Sequence, residues 1–309
     1  MSNIPFLSIT NLSHKYETQY ALKNVSFDLT TEGQIVGLLG SNGAGKSTMM
    51  IIICGALTQS SGTVKINGYD NLKDRLHAKS LIGFLPQKPP LHIDLTVKEY
   101  LNFAATLRGI TGKERTQAVS KVLDRCEIAH FKNRVIKNLS GGYQQRVGIA
   151  QAIIHNPSII IFDEPTNGLD PNQILEIRKL IQDIAHGRLV MLSTHILQEV
   201  QALCDQIIMI EHGEFVFSGT MQEFNNTLKS NSVVMRFDQC PPISELESLH
   251  FCRDITALDE NTLLVKLCND AVNGQNSLIK AAVSHDWKLN EIYKEKIDTD
   301  QIFKHFSKR

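Results

Sequence analysis

The segment Gly40-Ser41-Asn42-Gly43-Ala44-Gly45-Lys46-Ser47-Thr48 places phosphate-binding residue types at a spacing that lets them converge. It satisfies the P-loop pattern GxxxxGK[ST], whose glycines let the backbone curl until successive amides point at phosphate oxygens. Lys46 adds a mobile positive charge for the β and γ phosphates, and the Ser47 hydroxyl can ligate Mg²⁺. Asp163 and Glu164 form a second centre, two adjacent acids directly after the apolar run Ile159 to Phe162. Burying both charges without a cation or a proton to move would be costly. A carboxylate at the C-terminal end of a strand, beside a P-loop, is the expected Mg²⁺ partner.

These groups need an α/β scaffold. Ile35 to Leu39 is a continuous apolar run just ahead of the P-loop, as a parallel strand buried on both faces requires. Ile159 to Phe162, Leu189 to Leu192 and Ile207 to Ile210 read the same way. Phe6 to Leu12 and Val25 to Leu29 suit an antiparallel portion, and Thr63 to Ile66 closes on the hairpin signal Asn67-Gly68. From 88 to 152 the pattern turns helical. Thr96 and Glu99 form a capping box with Leu95 and Tyr100 as its staple, and that helix stops at Gly109. A further helix starts after Asp170 with Pro171 at its first position; its apolar stripe is Ile174, Ile177, Leu180, Ile181 and Ile184.

Past about residue 228 the texture becomes α+β. Strands are expected at Ser232 to Phe237, Asp254 to Leu258 and Thr262 to Leu267, with a helix at Asn276 to His285. A last helix is expected after Asp298, carrying Ile302, Phe303 and Phe306 on one side. The organisation expected is therefore a domain over 1–225, with a helical part at about 88–152, and a small α+β accessory domain over 228–309.

Composition narrows the classes. In 309 residues, 32 Lys and Arg balance 32 Asp and Glu, so no basic excess speaks for nucleic acid. The most apolar run, Met49 to Leu57, is too short to span a bilayer, and no signal peptide is expected at Met1 to Leu12. The six cysteines lie far apart without a CxxC pair, which suits a reduced compartment.

Leu139-Ser140-Gly141-Gly142-Tyr143-Gln144-Gln145-Arg146 resembles the signature motif of ABC-type ATPases. The other landmarks fall in that family's order: Tyr16 ahead of the P-loop, Gln87 after Phe84-Leu85-Pro86, Gly168-Leu169-Asp170 after the acidic pair, and His195 in Ser193-Thr194-His195. The resemblance covers residues from about 5 to 225. It implies a P-loop NTPase fold of the ABC ATPase kind, with an antiparallel β subdomain and a helical subdomain, binding ATP and Mg²⁺.

It also implies roles. Glu164 would polarise the attacking water and His195 would contact the γ-phosphate. Gln87 would touch Mg²⁺ or water, Ser47 and Asp163 would hold the metal, and Tyr16 would stack on adenine. Leu139 to Gln144 would meet the ATP of an opposite subunit and Asp170 would cross the dimer contact, so a second ATP-binding subunit, identical or homologous, is required. Two residues depart from the family's common choice: Ser41 replaces a frequent Pro and Tyr143 a frequent Gln. Neither removes a phosphate-binding amide. The resemblance is nearest to motors of ABC-2-type exporters, peripheral on the cytoplasmic face of the plasma membrane and coupled to a separate permease. An importer motor and a soluble non-transport ATPase are the alternatives.

Overall fold

The computed structural model describes residues 4–227, 232–268 and 274–295. By their contacts the residues form two compact units, one reaching Gln222 and the other beginning at Glu223.

The first unit opens with a long hairpin, β1 (Leu7–Tyr16) and β2 (Gln19–Leu29). Both strands run well beyond the apolar stretches that announce them, and their register shifts between Ile9 and Leu12 and again near His14. Asn11 and Asn24 have positive φ along this ribbon, so irregularities bend it where the alternation breaks. With β4 (Ser61–Ile66) and β5 (Tyr69–Asp70) it makes an antiparallel sheet of order β2-β1-β4-β5. Asn67 and Gly68 turn β4 into β5, both with positive φ, as the dipeptide predicts.

The second sheet carries the chemistry. β3 (Ile35–Leu39) leads into the P-loop and α1 (Lys46–Ile53), and α2 (Arg75–Ser80) leads into β6 (Ile82–Leu85). After the helical segment come β7 (Ile159–Asp163), α6 (Pro171–Ala185), β8 (Leu189–Thr194), α7 (Leu197–Leu203), β9 (Gln206–Glu211), β10 (Glu214–Thr220) and α8 (Met221–Thr227). The order is β10-β9-β3-β8-β7-β6; only β10 is antiparallel to its neighbour. β3 and β7 are buried at every position, which explains why their sequences are apolar throughout rather than alternating. Parallel strands put all their C-terminal ends on one edge, where the loops after β3, β6, β7 and β8 meet.

The helical segment is α3 (Val97–Leu107), α4 (Gly112–Arg125) and α5 (Gly141–Ile153). Thr96 and Glu99 form the reciprocal cap, and Gly109 follows α3 at φ +77, a left-handed stop. Asp170 caps α6 by accepting from the Gln173 amide at 2.9 Å, with Pro171 in its first turn. Ile177, Leu180, Ile181 and Ile184 are the buried part of its stripe.

Just beyond α5, His155 Nε2 donates to the Ile82 carbonyl at 3.0 Å. Burial, helped by the positive charge of Arg108, pushes its pKa down to about 4. An unfolded imidazole titrates near 6.5, so between those values the unfolded chain binds a proton that the folded chain does not. Stability is therefore expected to fall as pH drops from about 6.5 to about 4. His155→Gln, which keeps a donor for Ile82, should flatten that part of a plot of denaturant midpoint against pH. Identical slopes for parent and variant would refute this account.

The second unit is a four-stranded antiparallel sheet, β12-β13-β11-β14, from β11 (Ser232–Phe237), β12 (Cys252–Asp259), β13 (Thr262–Leu267) and β14 (Leu289–Lys294). Helices α9 (Ile243–Glu247) and α10 (Gly274–Ser284) complete it. Its core gathers Val233, Met235, Phe237, Leu246, Val265 and Leu278. Strand β14 is not announced by the sequence. It lies at the sheet edge and its residues are half-buried or exposed, so no apolar run marks it. The helix expected after Asp298 lies outside the described residues. All six cysteines are free thiols, and no helix among the described residues is long and apolar enough to cross a membrane.

Candidate functional site

The P-loop folds as its composition requires. Gly43 and Gly45 have φ of +84 and +105. A β-carbon on Gly45 would lie 2.3 Å from the Ala21 carbonyl oxygen, so the β1–β2 ribbon presses directly on the loop and only glycine fits. Asn42, Gly43 and Ser47 are exposed, whereas Ala44 and Lys46 are buried. The Lys46 ammonium donates to the carbonyls of Gly40 at 2.8 Å and Ser41 at 2.9 Å. Burial lowers its pKa, while Glu164, Asp163 and Glu211 oppose that shift with negative charge. Thr48 continues α1 one residue on.

Glu164 is the hub of the loop edge. Its carboxylate accepts from Gln87 Nε2 at 2.8 Å, Asn167 Nδ2 at 3.1 Å and His195 Nδ1 at 3.0 Å. A carboxylate only accepts, so the His195 proton here is on Nδ1. The Glu164 amide donates to the Ser193 carbonyl and hydroxyl, pinning β7 to β8. Its φ is +46, a conformation uncommon for a side chain with a β-carbon and frequent where geometry serves function. Asp163 is buried and accepts a short hydrogen bond from the Ser193 hydroxyl. Three residues that are 77 and 31 positions from Glu164 or adjacent to its turn thus converge on one carboxylate.

Tyr16 stands half exposed at the end of β1, opposite Gln19, on the ribbon whose Ala21 touches the P-loop; its ring meets His14 edge-on at 4.6 Å. Ser140 is the residue before α5, with extended backbone and no side-chain cap, so the first amides of α5 keep their donors. Gly142 packs so closely on Gln173 of α6 that a β-carbon would come within 2.8 Å. Leu139 is buried, and Gln144 turns back to donate to its carbonyl at 3.1 Å. Tyr143 meets Phe131 edge-on at 4.6 Å and His130 at 5.8 Å, which accounts for an aromatic residue at that place. No hydrogen bond or ring contact among the described residues links Leu139 to Gln144 with the P-loop or Glu164. The structure therefore joins Lys46, Gln87, Asp163, Glu164 and His195 in one place, whereas the signature segment makes none of these contacts and Asp170 serves as the cap of α6.

Two acids escaped the sequence reading. Glu199, buried on α7, accepts from Thr194 Oγ1 at 2.7 Å and, by a short bond, from Thr166 Oγ1. It ties the segment after Glu164 to the residue before His195. Glu211, buried at the end of β9, accepts from the Ser41 amide at 3.1 Å and the Ser41 hydroxyl at 2.5 Å. Gly213 adds a bond from its amide to the Ala44 carbonyl at 3.0 Å. The departure from Pro at position 41 is thus matched by a carboxylate that uses both donors serine brings. An acid closing an apolar strand flagged Asp163, and the same rule applied to Ile207 to Ile210 would have flagged Glu211.

The donors around Lys46 suit a nucleoside triphosphate with Mg²⁺. A hydroxyl at Ser47, a carboxylate at Asp163 and an amide at Gln87 are hard oxygen donors of the kind Mg²⁺ prefers.

Residues 22–167 match the family model described as ABC transporter. The chain is 31% identical over 308 residues to the linearmycin resistance ATP-binding protein LnrL of Bacillus subtilis (strain 168), covering 96% of each. It is 36% identical over 225 residues to YxlF, an uncharacterized ABC transporter ATP-binding protein of the same organism, covering 73% of this chain and 74% of that protein. Among solved structures, the dimeric post-hydrolysis state of the ATP-binding cassette MJ0796 bound to ADP and Pi aligns with a TM-score of 0.63 at 30% identity, over 70% of this chain and 98% of that one.

Proposed function

The chain belongs to the ABC transporter ATP-binding family, and from that premise we propose that it is the motor of an exporter, working as a dimer on a separate membrane permease. Its P-loop binds ATP through the amides of Gly40 to Ser47 and the charge of Lys46, with Ser47 and Asp163 holding Mg²⁺ and Gln87 beside it. Bound there, the metal would supply positive charge to offset that of the phosphates.

The observation that carries the reading is the convergence of Gln87, Asn167 and His195 on Glu164 next to the P-loop. Glu164 takes a proton from water as the water oxygen bonds to the γ-phosphorus, and the bond to the β-phosphate oxygen breaks. Three donors orient that carboxylate before ATP arrives, so little reorganisation is needed in the transition state. His195 keeps its Nδ1–H on Glu164, and when Nε2 also carries a proton, that second N–H donates to the γ-phosphate. Tyr16, exposed on the ribbon against the P-loop, supplies an adenine platform.

The free amides at the start of α5 favour an anion, and among the described residues their segment makes no hydrogen bond or ring contact with the P-loop, which fits a signature that serves the ATP of a second subunit. ATP then joins two chains and hydrolysis lets them part. Export is favoured because the match to a resistance protein runs through the second unit, whereas the match to YxlF spans 225 residues.

The reading is tested by affinity purification of the tagged chain from detergent extracts. A polytopic membrane protein in stoichiometric amount is expected. Recovery of ribosomes or DNA would point to a soluble motor, and a co-purifying solute-binding protein to import.

A further inference from the structure

Away from the nucleotide site, Arg108, Glu114, Lys121, Arg125, His155 and Arg188 line one cleft of about 410 Å³. Residues preceding β6, β7 and β8 form part of its wall, whereas Gln87, Glu164 and His195 follow those same strands. The cleft and the nucleotide site therefore lie at opposite ends of the sheet, separated by a strand length of about 15 Å.

Its charges are unbalanced. Four cationic side chains face a single carboxylate, Glu114. Arg108 donates to the Lys79 carbonyl, Arg125 to the Asp183 carbonyl, and Arg188 to the Ile184 carbonyl and the Asn156 amide oxygen. Each of these acceptors is neutral, and none of the four cations forms an ion pair among the described residues. The carbonyls belong to the C-terminal ends of α2 and α6, which anchors the guanidinium groups yet uses few of the five donors each carries. Burial lowers the pKa of Arg108 and of Arg188, and Arg125 lowers the latter further. Arg188 is itself only 9% exposed. Arg125 also borders a neighbouring cleft that holds Glu127, Glu176 and Asp183, but positive charge held without an ion pair gains most from a ligand that brings a counter-charge.

We propose that this cleft binds a phosphomonoester, its phosphate met by Arg108, Lys121, Arg125 and Arg188 and its organic part by the apolar floor at Ile110, Val122 and Ile153. A phosphomonoester carries close to two negative charges at neutral pH, which suits four cations better than one carboxylate would. Planar guanidinium groups match phosphate oxygens two at a time. The volume lies within the range of small-molecule sites. Neutral His155 lines the same cleft, so it adds no charge to compete with the phosphate. The phosphate can come from a free metabolite or from the headgroup of an acidic lipid.

The test uses the full chain with its P-loop filled by saturating ADP. Glycerol 1-phosphate is titrated by calorimetry with glycerol as the neutral control. Flotation with phosphatidic acid vesicles, against phosphatidylcholine alone, is the second arm. Binding of either phosphate probe, weakened about tenfold or more by Lys121→Glu and by Arg125→Gln, supports the proposal. Response only to vesicles assigns the lipid headgroup, and response to glycerol 1-phosphate a free ligand. Lys121 is exposed, so its replacement leaves folding intact, and ADP binding in the same samples reports the nucleotide site separately. Failure to bind either probe, or affinities unmoved by both variants, overturns the proposal. So does binding of polyglutamate alone, which would make the cleft a seat for an acidic protein segment.

Discussion

Glu164→Gln is expected to cut ATP turnover by about 10²–10⁴-fold while nucleotide binding stays close to that of the parent. The amide is the same size as the carboxylate but cannot take a proton from water. Its oxygen can still accept from His195, and Gln87 can reverse its amide to keep a bond with the new nitrogen. The frame around the reacting water therefore survives and only the base is lost. If ATP joins two chains, the variant should also accumulate as a nucleotide-bound dimer, visible as an earlier peak in size-exclusion chromatography with ATP and Mg²⁺. Turnover and affinity read different failures. A fall in both would mean that Glu164 holds the loop edge together, since its amide also ties β7 to β8 through Ser193. Parental turnover would remove Glu164 from the chemistry. His195→Ala separates the two parts of the histidine's role: Gln87 and Asn167 would still orient the carboxylate, so the turnover it loses reports the contact of His195 with the γ-phosphate.

The residues legible in the sequence are those whose function depends on a local stretch of chain. The P-loop is a backbone device, so its glycines and Lys46 announce it within nine positions. The apolar runs of β3, β7, β8 and β9 are legible for a similar reason, because both faces of the sheet are covered. Glu199 and Glu211 were missed because they act through contacts that only the fold creates. Glu199 reaches 33 residues back to Thr166, and Glu211 reaches 170 residues back to Ser41. Nothing near Ser41 in the chain says that a carboxylate will meet it. The β1–β2 ribbon was foreseen only in its apolar parts, since Ser13, His14 and Asn24 interrupt the alternation at the register shifts. His14 is nevertheless buried there, which a polarity reading does not anticipate. The cleft along α4, beside the ends of α2 and α5, was invisible for the same reason: its cations are scattered from Arg108 to Arg188 and look like ordinary surface charge one at a time.

Lys46→Met separates binding from folding at the P-loop. The buried ammonium is held by two neutral carbonyls, and burial lowers its pKa, so the charge is a cost to the folded chain without nucleotide. Methionine has similar length and no charge. It removes that cost but leaves the Gly40 and Ser41 carbonyls without their donor, a penalty of about 1 kcal/mol each. The two effects oppose each other, so the melting temperature without ligand should change by only about 5 °C in either direction. With ATP the signs no longer cancel. In the parent, the ammonium exchanges neutral acceptors for phosphate oxygens, and hydrogen bonds to charged groups contribute about 1.5–3 kcal/mol. Loss of that exchange should weaken nucleotide binding by about 10–150-fold. Thermal shift with and without ATP reads both quantities in one experiment, because a ligand bound only by the folded state raises its stability in proportion to RT ln(1 + [L]/Kd). The expected outcome is a variant that melts near the parent without ATP and gains almost nothing from it. A variant that collapses without ligand would show that Lys46 braces the loop, and one that keeps the full ATP-induced shift would show that the amides bind the phosphates without it. Lys46→Arg is expected to fail alongside methionine, since the larger planar group does not fit a position only 6% exposed, even though its charge is retained.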